Sequence, residues 1–195
     1  MERIRRVIGL VLIIAGISII VSIVYKKIDT LNKQKELQNI LEEVINEESK
    51  ELTKEEEEKL MNGYKPIALM EIPSIDLSQG IVEGITDDIL QYYLGKFENS
   101  VAPGEKGNFS VAGHRVSDYS EAFVNLYKVE IGDKVLVKAN KKEYVYEVTE
   151  NFIVSPDKVD VLDNTDESTI TLVTCTVGAK ERVIVKGKLV DAKDI

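Results

Sequence analysis

The sequence predicts a mainly β domain, closed or nearly closed into a barrel and carried behind a transmembrane helix and a charged helical stalk. Three observations predict this: an uncharged apolar run near the N-terminus, a charged stretch without Gly or Pro, and seven short β-rich stretches divided by turn formers.

The apolar run is Val7 to Tyr25, 19 residues dominated by Ile, Val and Leu. As a helix it spans roughly 28 Å, against a hydrocarbon core of about 30 Å. Arg6 and Lys26 flank it, where long cationic side chains reach headgroups. Arg3, Arg5 and Arg6 would also suit a signal peptide. However, the run exceeds the roughly 7–15 residues of a cleaved segment, and no A-x-A-like site follows. Residues 1–25 therefore read as a short tail and an uncleaved, single-pass signal anchor. Lys26, Lys27, Lys33 and Lys35 follow the span, so positive charge alone does not fix its orientation. A six-residue tail on one side and a whole domain on the other fits a cytoplasmic N-terminus and an extracytoplasmic domain.

Residues 26–65 read as the stalk. No Gly or Pro occurs from Lys26 to Asn62, and Leu37, Ile40, Leu41, Val44 and Ile45 follow the spacing of one helix face. The acidic run Glu55 to Glu58 reads as a solvated face. Gly63 and Pro66 close the stalk.

Residues 66–195 change in texture. Strands are expected at Ile67–Ile72, Gly80–Val82, Asn108–Ala112, Lys134–Lys138, Glu143–Val154, Thr169–Thr174 and Arg182–Val190. Pro73, Pro103-Gly104, Gly132-Asp133, Asn140 and Pro156-Asp157 separate them. One short helix is expected at Asp87–Leu94, with Thr86 as N-cap and Gly95 past its end. Seven or eight strands with little helix argue for a barrel around one core.

Composition removes several functions. Residues 63–195 carry 15 Lys and Arg against 22 Asp and Glu, a net of −7, the wrong sign for nucleic acid. One cysteine excludes an intrachain disulfide, and one histidine beside it cannot complete a Cys/His zinc site.

Three places carry possible chemistry: His114 after Val111-Ala112-Gly113, Cys175 at the end of Thr171-Leu172-Val173-Thr174, and Arg182 opening Val183-Ile184-Val185. Singly, each has an ordinary reading as a small core residue, a structural imidazole or a solvated edge arginine. Together they are the types a thiol nucleophile needs. A free thiol with a pKa near about 8.5 is little ionised at neutral pH, and a neighbouring cation favours the thiolate. An imidazole can protonate a leaving amine, and a guanidinium can hold a carbonyl or oxyanion. Cys175 and Arg182 lie across a strand, turn and strand, so about 5 Å would separate their backbones. His114 has to arrive by tertiary folding.

The order His114, Thr171-Leu172-Val173-Thr174-Cys175, Arg182 resembles the sortase family. So do Ile72-Pro73-Ser74-Ile75, the approach Pro103-Gly104-Glu105-Lys106-Gly107-Asn108, and Gly132-Asp133-Lys134. The resemblance covers about residues 66 to 190 and implies a closed eight-stranded sortase-type β-barrel with short helices. It implies a cysteine transpeptidase that cleaves an LPxTG-like sorting signal after Thr through a thioester and passes the acyl group to a peptidoglycan-linked amine. Cys175 would be the nucleophile, His114 the acid and base, Arg182 the group holding substrate or oxyanion, and Thr174 a substrate contact. The implied partners are surface proteins with a sorting signal, a peptidoglycan precursor or wall amine, and the membrane. Class D or A-like is implied by the N-terminal anchor and by a Val154–Thr169 connection too short for a helical insertion. No cofactor is expected. Calcium is the one candidate, because Asp157, Asp160, Asp163, Asp166 and Glu167 offer hard oxygen ligands, though without fixed spacing. Two other readings remain at this level. One is a membrane-tethered cysteine peptidase that uses water, and the other is a non-enzymatic β-domain that binds a wall component.

Overall fold

A computed structural model describes residues 2–46, 64–116 and 122–195. The apolar run lies inside one continuous helix, α1 (Glu2–Asn46), about 68 Å long. Its Arg3–Asp29 part is long and apolar enough to cross a membrane, and its side chains are exposed, as lipid contact requires. The backbone of the expected stalk is helical to Asn46. The side chains of the Leu37–Ile45 face, the run Glu55–Glu58 and Gly63 fall outside the described residues.

Eight strands follow: β1 (Pro66–Ile72), β2 (Leu77–Glu83), β3 (Leu94–Lys96), β4 (Gly107–Ala112), β5 (Lys134–Ala139), β6 (Lys142–Val154), β7 (Ser168–Cys175) and β8 (Arg182–Asp194). They close into a barrel in the order β1-β2-β3-β4-β7-β8-β6-β5. The β2/β3 and β4/β7 pairs are parallel and the others antiparallel. Closure leaves no unpaired edge. The seven expected strands are all present.

The eighth, β3, corrects the expectation for Asp87–Leu94. The helix α2 stops at Leu90 (Asp87–Leu90), and Leu94 and Gly95 belong to β3. Thr86 occupies the N-cap but makes no side-chain cap bond. Gly95 is not a helix stop. A Cβ there would lie 2.2 Å from the Gly84 carbonyl oxygen, so glycine allows the chain to turn straight into the sheet.

Alternation fills the barrel. Met70, Phe109, Val111, Val137, Ile170 and Val185 are fully buried and form the core with Tyr146 and Phe123. The β5–β6 hairpin has a two-residue loop, Asn140 (φ 50°) and Lys141 (φ 59°), the left-handed pair that suits the strand twist. At Pro103-Gly104, the Gly104 N–H donates to the Tyr146 hydroxyl at 2.7 Å. The Tyr144 ring lies where a Gly104 Cβ would stand.

Candidate active site

The site grows from the order in which β4, β7 and β8 sit side by side. Cys175 is the last residue of β7 and Arg182 the first of β8, and they are direct partners in the antiparallel register. Leu172 and Val185 point into the core, so alternation puts Cys175, Arg182, Val173 and Ile184 on the outer face. On β4, Phe109 and Val111 point inward, which leaves Ser110, Ala112 and then His114 on the outward series. The parallel β4/β7 register runs from Gly107↔Ser168 to Ala112↔Val173. One further bond extends it, from the Gly113 N–H to the Val173 carbonyl at 3.1 Å. His114 therefore leaves β4 beside the end of β7. Residues 61 and 7 positions away from Cys175 in the chain arrive on its two flanks, at a strand spacing of about 4.8 Å on either side.

Local contacts fix these ends. Gly113 packs so tightly that a Cβ would be 2.6 Å from both Leu94 and Phe123 side chains. The His114 carbonyl accepts from the Phe123 N–H at 3.1 Å, tying the strand end to the following segment. Thr174 is buried, and its hydroxyl donates to the Gly113 carbonyl at 2.8 Å. The residue before the cysteine is thus bonded to the residue before the histidine. Cys175, His114 and Arg182 are each half-buried, and Cys175 is a free thiol.

The guanidinium does not hang free. Arg182 Nη1 donates to the carbonyls of Ala179 (3.3 Å) and Glu181 (3.2 Å) in the β7–β8 turn. That turn is held by Thr176 N–H to Glu181 O at 3.0 Å and by left-handed Gly178 (φ 80°) and Ala179 (φ 57°). One nitrogen anchors the arginine, and the remaining donors of its fork are left for other partners.

The β6–β7 connection crosses the outer face of β4. Its 3-10 turn, Val159–Leu162, is pinned by Asn108 Nδ2, which donates to the carbonyls of Val161 (3.3 Å) and Asp163 (3.2 Å). Thr171 Oγ1 donates to Asn108 Oδ1 at 2.9 Å, completing the link to β7. Between this turn and the β3–β4 loop lies a cleft of about 570 Å³, lined by Ile85, Phe97, Ser100, Ser110, Val159 and Leu162. Ser110 is four residues before His114 on the same outward series, roughly 13 Å along the strand. The cleft therefore lies along β4 from the cysteine end, at the reach of a short extended peptide.

The acidic residues of this connection do not form a calcium cage. Asp160 pairs with Lys158 at 2.8 Å, Glu167 with Lys188 at 2.6 Å, and Asp166 with Lys106 at 3.4 Å. Hydrogen bonds from Lys158 and Lys188 hold the Asp160 and Glu167 carboxyls below their usual range, and the Ser155 hydroxyl does the same for Asp157. Among the described residues, no three His, Cys, Asp or Glu side chains converge.

Sequence reasoning singled out all four of these residues but missed the wall of the cleft formed by Ile85, Phe97 and Ser100, which comes from loops without periodicity. Counting by twos back from His114 through Ala112 to Ser110 would have pointed towards it. It also assigned nothing to Arg115, whose guanidinium stacks on Tyr127.

A profile of the sortase domain matches residues 70–190. Sortase A of Bacillus anthracis is 33% identical over 130 residues, covering 65% of this chain and 61% of that protein. Sortase D of Bacillus subtilis (strain 168) is 30% identical over 128 residues, 63% of each. The chain thus spans less than two thirds of the length of these curated relatives. Among solved structures, a Clostridium perfringens sortase D5 transpeptidase superposes with a TM-score of 0.68 at 38% identity, over 82% of this chain and 99% of that one. Sortase E from Streptomyces avermitilis gives 0.62 at 30% identity, over 67% and 91%.

Proposed function

The chain belongs to the sortase family, and from that premise we propose that it is a membrane-anchored cysteine transpeptidase acting on an LPxTG-like sorting signal. The N-terminal apolar helix, the only one among the described residues long and apolar enough to cross a membrane, anchors the chain, and the barrel lies on the extracytoplasmic side in this reading. Residues 1–25 are the tail and anchor, 26–65 the stalk and 66–195 the catalytic domain. The observation that carries the reading is the meeting of three strand ends. Cys175 faces Arg182 across β7/β8, and the Thr174–Gly113 bond holds the His114 strand against the other side.

The Cys175 thiolate attacks the carbonyl carbon of the signal's Thr, and Arg182 holds the oxygen as it gains charge. The Thr–Gly C–N bond breaks, and His114 gives its proton to the departing Gly nitrogen. An acceptor amine then attacks the thioester carbon, His114 takes its proton, and the thiolate leaves. The Leu-Pro half of the signal lies in the cleft bounded by Ile85, Val159 and Leu162. Thr174 serves the substrate from beneath, by fixing the spacing of the two strands that flank it. The compact β6–β7 connection and the likeness to the D5 structure favour class D over class A.

The test is transfer by the full chain in detergent, using an LPxTG-type peptide with and without an amine acceptor. The expected product with amine is the Thr-amide conjugate. Cys175→Ala abolishes it, while His114→Ala and Arg182→Ala each lower turnover by about 100-fold or more with the unfolding midpoint little changed. Hydrolysis as the sole outcome at saturating amine would make the chain a peptidase. Unfolding of all three variants would make these residues structural.

A further inference from the structure

Asn108 stands inside a buried strand, where asparagine is a poor choice on propensity alone. It is the second residue of β4 and alternates with the inward Phe109, so its side chain leaves on the outer face. It is nevertheless only 1% exposed, because the β6–β7 connection lies over it. An amide is tolerated there because it is almost completely satisfied. Its Nδ2 spends both hydrogens, on the carbonyls of Val161 (3.3 Å) and Asp163 (3.2 Å), and its Oδ1 accepts from the Thr171 hydroxyl at 2.9 Å. Two carbonyls on one side fix which end of the amide is nitrogen.

The backbone of the same residue reaches both loops around the cleft. Its N–H donates to Asn164 Oδ1 at 3.2 Å, and its carbonyl accepts from Ser100 Oγ at 3.2 Å. Both walls thus meet at one strand position, Ser100 on the β3–β4 side and Val159 with Leu162 on the other. They are not held alike. The Ser100 side is tied to the Asn108 backbone, which any residue would supply. The Val159–Leu162 turn has local bonds of its own, Val159 N–H to Asp157 O at 2.9 Å and Asp163 N–H to Asp160 O at 3.2 Å. Among the described residues, the Asn108 amide makes the only hydrogen bonds from a barrel strand to residues 159–163, and Val161 is the turn's one buried side chain.

A wall held in this way lifts when its donors are removed, since two carbonyls would otherwise stay buried without partners. Asparagine is the smallest side chain that offers two N–H donors and an acceptor, so the identity of this residue, and not only its place, sets the wall. We propose that Asn108 is a positioning residue for peptide capture: its amide, steadied by Thr171, holds Val159 and Leu162 where the Leu-Pro half of the sorting signal packs. The proposal rests on the reading of the chain as a transpeptidase with its peptide in this cleft, and it adds the residue that keeps the cleft in shape. Asn108 lies six residues before His114, roughly 20 Å along the strand, and touches no reacting atom. Its influence therefore falls on binding of the peptide and leaves the chemical step alone.

Asn108→Leu, of similar volume, removes both donors. In the full chain in detergent, the KM for an LPxTG-type peptide is expected to rise about 10- to 30-fold, with kcat at saturating peptide within about twofold of the parent. Hydrogen exchange across residues 156–165, read by mass spectrometry without peptide, is expected to quicken about tenfold or more. Thr171→Val keeps the shape and removes the hydroxyl that Asn108 Oδ1 accepts from. A smaller shift of the same kind is expected there, reversed by Thr171→Ser, and this pair decides the matter if Asn108→Leu does not fold. Added to Asn108→Leu, Thr171→Val is expected to change nothing further, because the hydroxyl acts through the amide. A fall in kcat at unchanged KM would overturn the proposal, as would a KM that stays put while exchange quickens, or unchanged exchange in both variants. A parent chain that transfers no peptide would instead overturn the transpeptidase reading, and exchange alone then decides whether the Asn108 amide holds the wall.

Discussion

Thr174 is 2% exposed and gives its hydroxyl proton to Gly113 O at 2.8 Å, one residue before Cys175 and one before His114. Thr174→Val keeps the shape and leaves a buried carbonyl without that partner, at a cost of about 1–3 kcal/mol. If the bond aligns the two strand ends, Thr174→Val lowers kcat for transfer by about tenfold with the peptide KM little changed, and Thr174→Ser restores most of it. A rise in peptide KM with kcat preserved would mean that the hydroxyl touches the signal peptide directly. Much at this scale was legible in the sequence. The types of His114, Cys175 and Arg182 are those a thiol nucleophile requires, and their order is what resembles the sortase family. Thr174's inward direction was also within reach, since it alternates with an outward Cys175. The Arg182 contacts were not, because they depend on a left-handed Ala179 that no side-chain preference announces.

At the scale of elements, long strands declared themselves and the shortest did not. Val135 and Val137, or Tyr144, Tyr146 and Val148, alternate over enough residues to fix a period. Leu94–Lys96 has three residues with a glycine in the middle, too few to show one, and Gly95 reads equally well as a helix stop. The structure gives that glycine a steric task, and Gly95→Ala tests it. A methyl group 2.2 Å from the Gly84 carbonyl oxygen forces β2 and β3 apart. The expected loss is at least about 2 kcal/mol, read from the urea midpoint at unchanged slope. A variant as stable as the parent would mean that β3 is not packed against Gly84 as described. The hairpin at Asn140 shows the opposite case, where the turn former alone located the reversal.

The whole molecule turns local signals into a site by closing the barrel. Pairing β4 with β7 in parallel needs a long crossover, from Gly113 to Glu167, which no local pattern encodes, so His114 could be singled out but not placed. Closure from β5 back to β1, with Lys138 paired to Glu71 at 2.9 Å, completes the cylinder on which the three strand ends converge. The anchor adds a constraint of its own, since α1 ties this cylinder to a bilayer. Any reaction there is expected to join a soluble segment of a protein to an acceptor near the membrane. The central claim is that Cys175 carries the acyl group between the two. Intact-mass measurement tests it most directly, on the full chain mixed with an LPxTG-type peptide in the absence of amine and quenched in acid. The predicted result is a chain heavier by the acyl half of the peptide, with the adduct on Cys175 and lost when amine is added. Peptide cleavage that proceeds unchanged in Cys175→Ala, or an adduct on any other residue, would contradict it.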